Sequence, residues 1–431
     1  MTCRISGIAV LLTLLTLYPV STAAAELESK VDALVEAVTP EVIHWRRDIH
    51  AHPELANREE RTGRVIAEAL RAMRPDHLQT GVAHHGVVAI IRGAHPGPTV
   101  ALRADIDALP VQEQTGLPFA SKVPGVMHAC GHDAHTAMLL GAAAVLGQLR
   151  EELHGTVKLI FQPAEEGVPP GEEGGATMMI AEGVLADPDV EAIFAMHVNP
   201  GLPTGKLAYR LGGLMAAVDR FKLTVTGKQS HAAMPWEGMD PIVTSAHIIT
   251  AAQTVASRTI DAREPVVVSF CTVRAGEAWN IIPEKVVLEG TIRTHDMAVR
   301  RQAVGHFEQV VRSTAAAHGV GVELDVNQLV PVTWNDPELT KRMLPTLRRV
   351  AGEHNVVETE PFMGGEDFAH YAAEIPGLYF FLGVHDEQAG PSYGLHHPKM
   401  TVDEAALPIG VKAHVLLAIE YLRSVQTDTG Q

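Results

Sequence analysis

Thr99-Val100-Ala101-Leu102-Arg103-Ala104 runs without interruption into Asp105-Ile106-Asp107-Ala108-Leu109-Pro110. The first six residues follow a turn at Gly93 to Pro98 and read as a buried strand of ordinary length. The aspartates come at its carboxyl end. The same arrangement recurs along the chain. Val157 to Phe161 ends in Gln162-Pro163-Ala164-Glu165-Glu166-Gly167, and Ala192 to Met196 ends in His197. Leu378 to Leu382 is followed by a Gly/Pro loop and Leu395-His396-His397-Pro398, and Val87 to Ile91 adds one more apolar run. Helical segments separate several of these runs. The expected fold is therefore α/β, a mixed, mostly parallel sheet flanked by helices. In such sheets ligands collect beyond the carboxyl ends of the strands, where the polar residues of this chain repeatedly fall.

A dense set of metal donors lies between the first two of those strands. His128-Ala129-Cys130-Gly131-His132-Asp133-Ala134-His135-Thr136 offers three imidazoles, a thiol and a carboxylate, and Ala134 to Leu149 reads as an alanine-rich helix anchoring them. Cys130 and His132 are two apart, so in an extended segment both point to one side. A thiolate and an imidazole aimed at one point suit zinc or another first-row divalent ion. Taken alone, a Cys-x-His is a helix start with incidental histidines. The other strand-end groups, Glu165-Glu166, His197 and His396, change that balance. Two adjacent carboxylates at the end of a buried strand are costly unless a cation compensates them. One glutamate would then be a ligand and its neighbour a general base.

Upstream, Glu26 to Leu78 has a helical pattern in which Thr39-Pro40 reads as a helix start. It closes at His50-Ala51-His52-Pro53-Glu54-Leu55, whose histidines read as fixing a turn, before a helix from Arg61 to Met73. A different rhythm occupies residues 216–329. Strand Asp219 to Thr226, helix Asp240 to Ser257, strands Pro265 to Arg274 and Lys285 to Arg293, an amphipathic helix through Val299, Ala303, Phe307, Val310 and Val311, and strand Val320 to Val326 follow in turn. That order, β-α-β-β-α-β, is the ferredoxin-like unit. With Gly212-Gly213 and Val330-Pro331 as hinges, it predicts an α+β domain inserted into a discontinuous catalytic domain of residues 26–215 and 330–431.

The chain has 431 residues, 46% of them hydrophobic and 20% charged, which is ordinary for a globular enzyme of two domains. Its formal net charge of −17 argues against nucleic acid or an anionic membrane as partner. Arg4, the apolar run Ile8 to Val20 and Ala23-Ala24-Ala25 resemble a signal peptide over residues 1–25, cleaved after Ala25. That predicts a periplasmic or secreted protein; an uncleaved anchor is the alternative, though the run is short for a bilayer. Two cysteines would remain. Cys130 is assigned to metal, and Cys271, in Val266 to Val273, is expected in the core, which leaves no disulfide.

The runs His128 to Thr136, Gln162-Pro163-Ala164-Glu165-Glu166, Ala195-Met196-His197 and Leu395-His396-His397-Pro398 resemble those of the co-catalytic-metal amidohydrolases. That family includes hippurate hydrolases, N-acyl-amino-acid amidohydrolases and auxin-conjugate hydrolases. Arg46 to His50, Arg103 to Pro110 and Gly365-Glu366-Asp367-Phe368 extend the likeness over nearly the whole chain. The resemblance implies two divalent ions, zinc or manganese with cobalt or nickel as alternatives, held by Cys130, His132, Glu166, His197 and His396, with Cys130 bridging. It makes Glu165 the catalytic base and His231 an oxyanion donor, and it puts Asn280, Arg293 and Gly365 at the substrate. Asp105 and Asp107 would orient ligands or their loop; a purely structural role suits them equally. It also implies a homodimer through the inserted domain, whose sheet edge would suit two-fold pairing. The segment Val168 to Gly175 is longer than the family's pattern and bears on the rim of the site.

The expected activity is hydrolysis of N-acyl or N-aroyl amino acids. A dipeptidase or carboxypeptidase using the same metals is the nearest rival. A cysteine hydrolase with Cys130 as nucleophile and a non-catalytic binding protein are the alternatives of other classes, and Glu165 beside a full ligand set speaks against the latter.

Overall fold

The computed structural model describes residues 22–429. The predicted signal segment lies outside the described residues up to residue 21. Helix α1 (Thr22–Ala51) opens the fold and is continuous through Pro40. The helix start expected at Thr39-Pro40 is therefore corrected. The Thr39 hydroxyl donates to the Val35 carbonyl at 2.7 Å, one turn back, instead of capping a new helix. Leu27, Val31, Val35, Val42 and Ile49 keep one buried face on both sides of the proline, and that packing against later helices outweighs the single backbone bond a proline removes.

Helix α2 (Glu60–Met73) leads to strands β1 (His77–Val82), β2 (Gly86–Arg92) and β3 (His95–Asp105). After a long irregular loop come α3 (His132–Gln148), β4 (His154–Gln162), α4 (Gly175–Ala181), β5 (Ala192–Pro203), β6 (Leu207–Tyr209) and β7 (Gly212–Met215). The next stretch holds β8 (Ala217–Thr226), β9 (Ser230–His231), α5 (Pro241–Thr254), β10 (Val266–Ala275), β11 (Ile281–Ile282), β12 (Lys285–Thr294), α6 (Met297–Ala317) and β13 (Gly321–Val330). The chain closes with β14 (Thr333–Asn335), α7 (Pro337–Ala351), β15 (Val356–Glu358), α8 (Phe368–Glu374), β16 (Gly377–His385) and α9 (Leu407–Thr429).

Eight strands form the large sheet in the order β1-β2-β4-β3-β5-β16-β6-β15. Its centre, β4-β3-β5-β16, is parallel, as the unbroken apolar runs of those strands require. Register aligns Asp105 with Gln162 and His197 with Phe381, so the polar residues emerge at one edge of the sheet. Helices α1, α3 and α9 pack together over one face. Helix α3 is buried on nearly every side, and α9, though long and apolar enough to cross a membrane by composition, lies mostly buried as a core helix.

Residues 217–330 build a separate four-stranded antiparallel sheet, β10-β12-β8-β13, with α5 and α6 over it. Phe221, Leu223, Ile248, Leu288, Phe307 and Val311 form its own apolar cluster. The strand order is that of the ferredoxin-like unit. Of the two expected hinges, Gly212-Gly213 lies in β7 and pairs with Asn335 and Trp334 of β14, while Val330-Pro331 falls between β13 and β14. Cys271 is a second correction: it is exposed, not in the core. The β10–β12 register shifts between Phe270 and Thr272, and this bulge leaves Cys271 unpaired on the outer side of an edge strand.

Candidate active site

Four strand ends and the start of α3 converge above the centre of the sheet. Gly131, at φ 91°, turns the chain between Cys130 and His132, and a Cβ there would meet Val198 Cγ2 at 2.3 Å. Only glycine fits that turn. It delivers Cys130 Sγ to 3.2 Å from His197 Nε2. The other nitrogen of His197 faces the Val198 carbonyl at 2.7 Å, so Nδ1 carries the proton and the Nε2 lone pair points at the cluster. His132 follows the same logic. Its Nδ1 lies 3.1 Å from Asp107 Oδ1, while Nε2 is buried with no hydrogen-bond partner, 3.8 Å from Glu165 Oε2. The second oxygen of Asp107 accepts the Glu166 amide at 3.0 Å, so one carboxylate orients an imidazole and the glutamate turn together.

His396 arrives from the opposite side. It adopts a left-handed φ of 65°, uncommon for a side-chain-bearing residue, and its amide donates to the Ala129 carbonyl at 2.8 Å. Nε2 then sits 3.0 Å from Glu166 Oε1, yet that oxygen is buried without a properly aligned hydrogen bond. Donor atoms of Cys130, His132 and His197 lie within 4.8 Å of one another, as do those of Cys130, Glu166 and His396, and those of His132, Glu165 and Glu166. Cys130 is the shared corner of two three-ligand groups. The orphaned His132 Nε2 and Glu166 Oε1, with sulfur, imidazole and carboxylate donors, fit a pair of divalent ions.

His135 also lies within reach, but it is already satisfied. Its Nδ1 faces Asp105 Oδ1 at 2.6 Å and its Nε2 accepts the Val198 amide at 2.9 Å, so it buttresses β5 and holds no lone pair for a metal. Asp105 therefore orients His135 and Asp107 orients His132.

The electrostatics have the same sense. Burial, then Glu166 and Glu165, push the Cys130 thiol well above its usual range, so a thiolate there requires a cation beside it. Burial and the nearby Glu366, Glu166 and Asp367 push Glu165 up in the same way. Burial alone would lower His132, but Asp105 and Asp107 outweigh it and raise it to about 10, while burial and His135 take His197 down to about 3. Beneath the site, the buried Arg103 joins Asp105 at 2.6 Å, Asp367 at 2.8 Å, Glu366 at 3.1 Å and Gln162 at 3.0 Å. Asp367 in turn offers its amide to Glu165 Oε1 at 3.4 Å. The motif Gly365-Glu366-Asp367-Phe368 was visible in the sequence, but the place of Glu366 and Asp367 beside Glu165 was not, because it depends on contacts some 200 residues apart.

The residues expected at the substrate divide into two places. Arg293, on β12, donates to the Met363 carbonyl at 2.8 Å, and Gly365 packs at Val218, so both sit where the small sheet meets the loop leading to Glu366. His231 lies on β9 and Asn280 immediately before β11, and these two short strands pair antiparallel, with Ala232 donating to the Asn280 carbonyl at 3.1 Å. His231 is exposed, and among the described residues no hydrogen bond or ion pair links it to the cluster.

An open α/β sheet with paired ligand groups and a further buried carboxylate beside them defines a metal-dependent hydrolase. The profile described as Peptidase family M20/M25/M40 matches residues 101–420, and the chain belongs to that family. It is 42% identical over 398 residues to Thermostable carboxypeptidase 1 of Saccharolobus solfataricus, covering 92% of this chain and 99% of that protein. It is 41% identical to the N-acetylcysteine deacetylase of Bacillus subtilis, covering 89% and 98%. The Bacillus subtilis YXEP protein, described as a dinuclear metal-binding peptidase of the M20 family, superimposes with a TM-score of 0.77 at 39% identity, over 90% of this chain and 99% of that one. The protein is accordingly a hydrolase acting on amides.

Proposed function

We propose that the protein hydrolyses N-acyl amino acids, N-acetyl or N-aroyl, to a carboxylic acid and a free amino acid. The observation that carries this reading is Cys130 at the corner of two ligand groups with Glu165 beside them. Cys130, His132, Glu166, His197 and His396 would hold two divalent ions, with zinc or manganese the metals considered first. When bound, such ions acidify water and polarise a scissile carbonyl. Glu165, whose affinity for protons is raised by burial and neighbouring carboxylates, takes a proton from the attacking water and returns it to the leaving amine. Arg293 spends one donor on Met363 and has others left for the carboxylate of the amino-acid half. His231, from a second copy of the chain, donates to the developing oxyanion. Residues 216–329 would serve as the module through which the copies pair, and residues 1–25 as an export signal. A similarity to a deacetylase of an N-acetyl amino acid and to a carboxypeptidase supports amide cleavage next to a free carboxylate.

The test is a product-resolved panel. N-acetyl amino acids, hippurate and dipeptides are incubated with enzyme that is metal-loaded, chelated and reloaded, and products are weighed by mass spectrometry. Turnover of the N-acyl substrates, lost on chelation and restored by metal, is expected. Preference for dipeptides would transfer the assignment to a dipeptidase. Activity that survives chelation but not thiol alkylation would transfer it to a cysteine hydrolase.

A further inference from the structure

The turn that carries Glu165 and Glu166 is held by groups outside the cluster itself. Ala164 occupies a left-handed φ of 56°, a conformation a side-chain-bearing residue keeps only where its surroundings impose it. Its amide donates to Glu59 Oε1 at 2.8 Å. Glu59 is fully buried at the start of α2, caps nothing in its own helix, and has a second oxygen, Oε2, with no partner. Among the described residues no ion pair stabilises it. Burial, and then Asp107, push its pKa up to about 8, so at neutral pH it is mainly the uncharged acid. A buried carboxyl with one half unpaired is expensive, and its single strong contact to another element is the catalytic turn.

The two residues before it grip the far end of the same segment. Asn57, itself at φ 60° and buried, donates to Glu172 Oε2 at 3.1 Å and to the Glu173 carbonyl at 2.9 Å. Arg58 forks onto both oxygens of Glu172 at 3.0 and 2.6 Å. Val168 to Gly175, which the sequence marks as longer than the resembled pattern, is stapled by the two residues that precede Glu59. Three consecutive residues therefore hold both ends of the loop from Ala164 to Glu173.

We propose that Asn57-Arg58-Glu59 is the brace of the catalytic turn, with Glu59 a positioning residue whose Oε1 holds the Ala164 amide and so aims Glu165 and Glu166. The inference rests on the roles proposed for those glutamates, but its test does not depend on them alone. Glu59→Gln keeps an uncharged oxygen acceptor of the same reach, whereas Glu59→Ala removes it. In the metal-free protein, amide exchange over residues 163–167 should be faster in Glu59→Ala than in wild type and restored in Glu59→Gln. On N-acyl substrates, kcat of Glu59→Ala should fall about 100-fold, the scale of a small misplacement of catalytic groups, with KM little changed and Glu59→Gln close to wild type. Wild-type exchange and kcat in Glu59→Ala would overturn the proposal, and so would a Glu59→Gln variant as impaired as the alanine. Arg58→Ala, at an exposed residue whose truncation the fold tolerates, tests the other end: exchange over 168–175 must rise, and unchanged exchange there overturns the brace should Glu59→Ala not fold. A wild type inactive on every N-acyl amino acid would end the functional reading and leave the exchange measurements to decide this one.

Discussion

Glu165 and Glu166 are adjacent in sequence and different in surroundings. Glu166 approaches His396 and Cys130, whereas Glu165 faces His132 and the Asp367 amide. Glu165→Gln keeps the shape and removes the base, so metal content should stay while turnover falls by roughly 100-fold or more. Glu166→Gln should lose metal as well as rate. Elemental analysis beside steady-state rates decides it; identical behaviour of the two variants, or reversed roles, would refute the division. Cys130 and His132 were legible in the sequence because two donors two residues apart are a local pattern. His135 was part of the same local pattern, and its satisfaction by Asp105 and the Val198 amide is a long-range fact that no spacing reveals. Cys271 was misjudged for a related reason. An apolar run does not say which of its faces meets a core: Val266, Val268 and Phe270 pack on the cluster of the small domain, so alternation turns Cys271 to the outer side.

At the scale of elements, the loop after β3 is tied to α1 by several contacts, one of them a buried histidine. His50, on α1, places Nδ1 2.9 Å from Asp133 and Nε2 3.3 Å from Glu113, which belongs to the loop. Arg46 joins the same Asp133 at 3.0 Å, and Arg46 and Arg47 lie over the ring of Phe119 in that loop. Burial alone would lower the His50 pKa, but the charge of Asp133 and the bonds to Asp133 and Glu113 prevail and raise it to about 9. A folded-state value above the unfolded one of about 6.5 means stability fully present below pH 6.5 and lost as pH rises through 9. The full effect is on the order of 3 kcal/mol for this buried group. Urea midpoints should therefore fall more steeply between pH 6.5 and 9 in wild type than in His50→Gln; parallel curves would show that His50 is not charged in the fold. The sequence placed His50 at a turn and went no further, since its partners stand 63 and 83 residues away. It also broke α1 at Pro40, where burial on both sides of the proline overrides the local signal.

At the scale of the molecule, the parallel core and the ferredoxin-like order could be read from apolar periodicity, because each strand is set by its own pattern of burial. Whether the small sheet completes the site of a second copy is the question that the proposed pairing poses. Strand β8 runs ten residues from the Arg293 end, where Val218 pairs with Arg293, to Thr226. At about 3.3 Å per residue this puts the paired strands that carry His231 and adjoin Asn280 roughly 30 Å beyond that end. Around His231 the surface is apolar and open, with Trp279 95% exposed, Trp236 76% and Ile281 44%. If His231 serves the site of a second copy, two inactive variants should repair each other. In a mixed dimer His231→Ala supplies Glu165 and Glu165→Ala supplies His231, so one of its two sites is whole. Random exchange makes about half the dimers mixed, which predicts about a quarter of wild-type activity under two-fold symmetry. Co-purification of differently tagged subunits establishes that exchange has occurred. With exchange established, activity no higher than that of either variant alone would mean that His231 does not act across the interface, and the oxyanion donor would then have to come from within one chain.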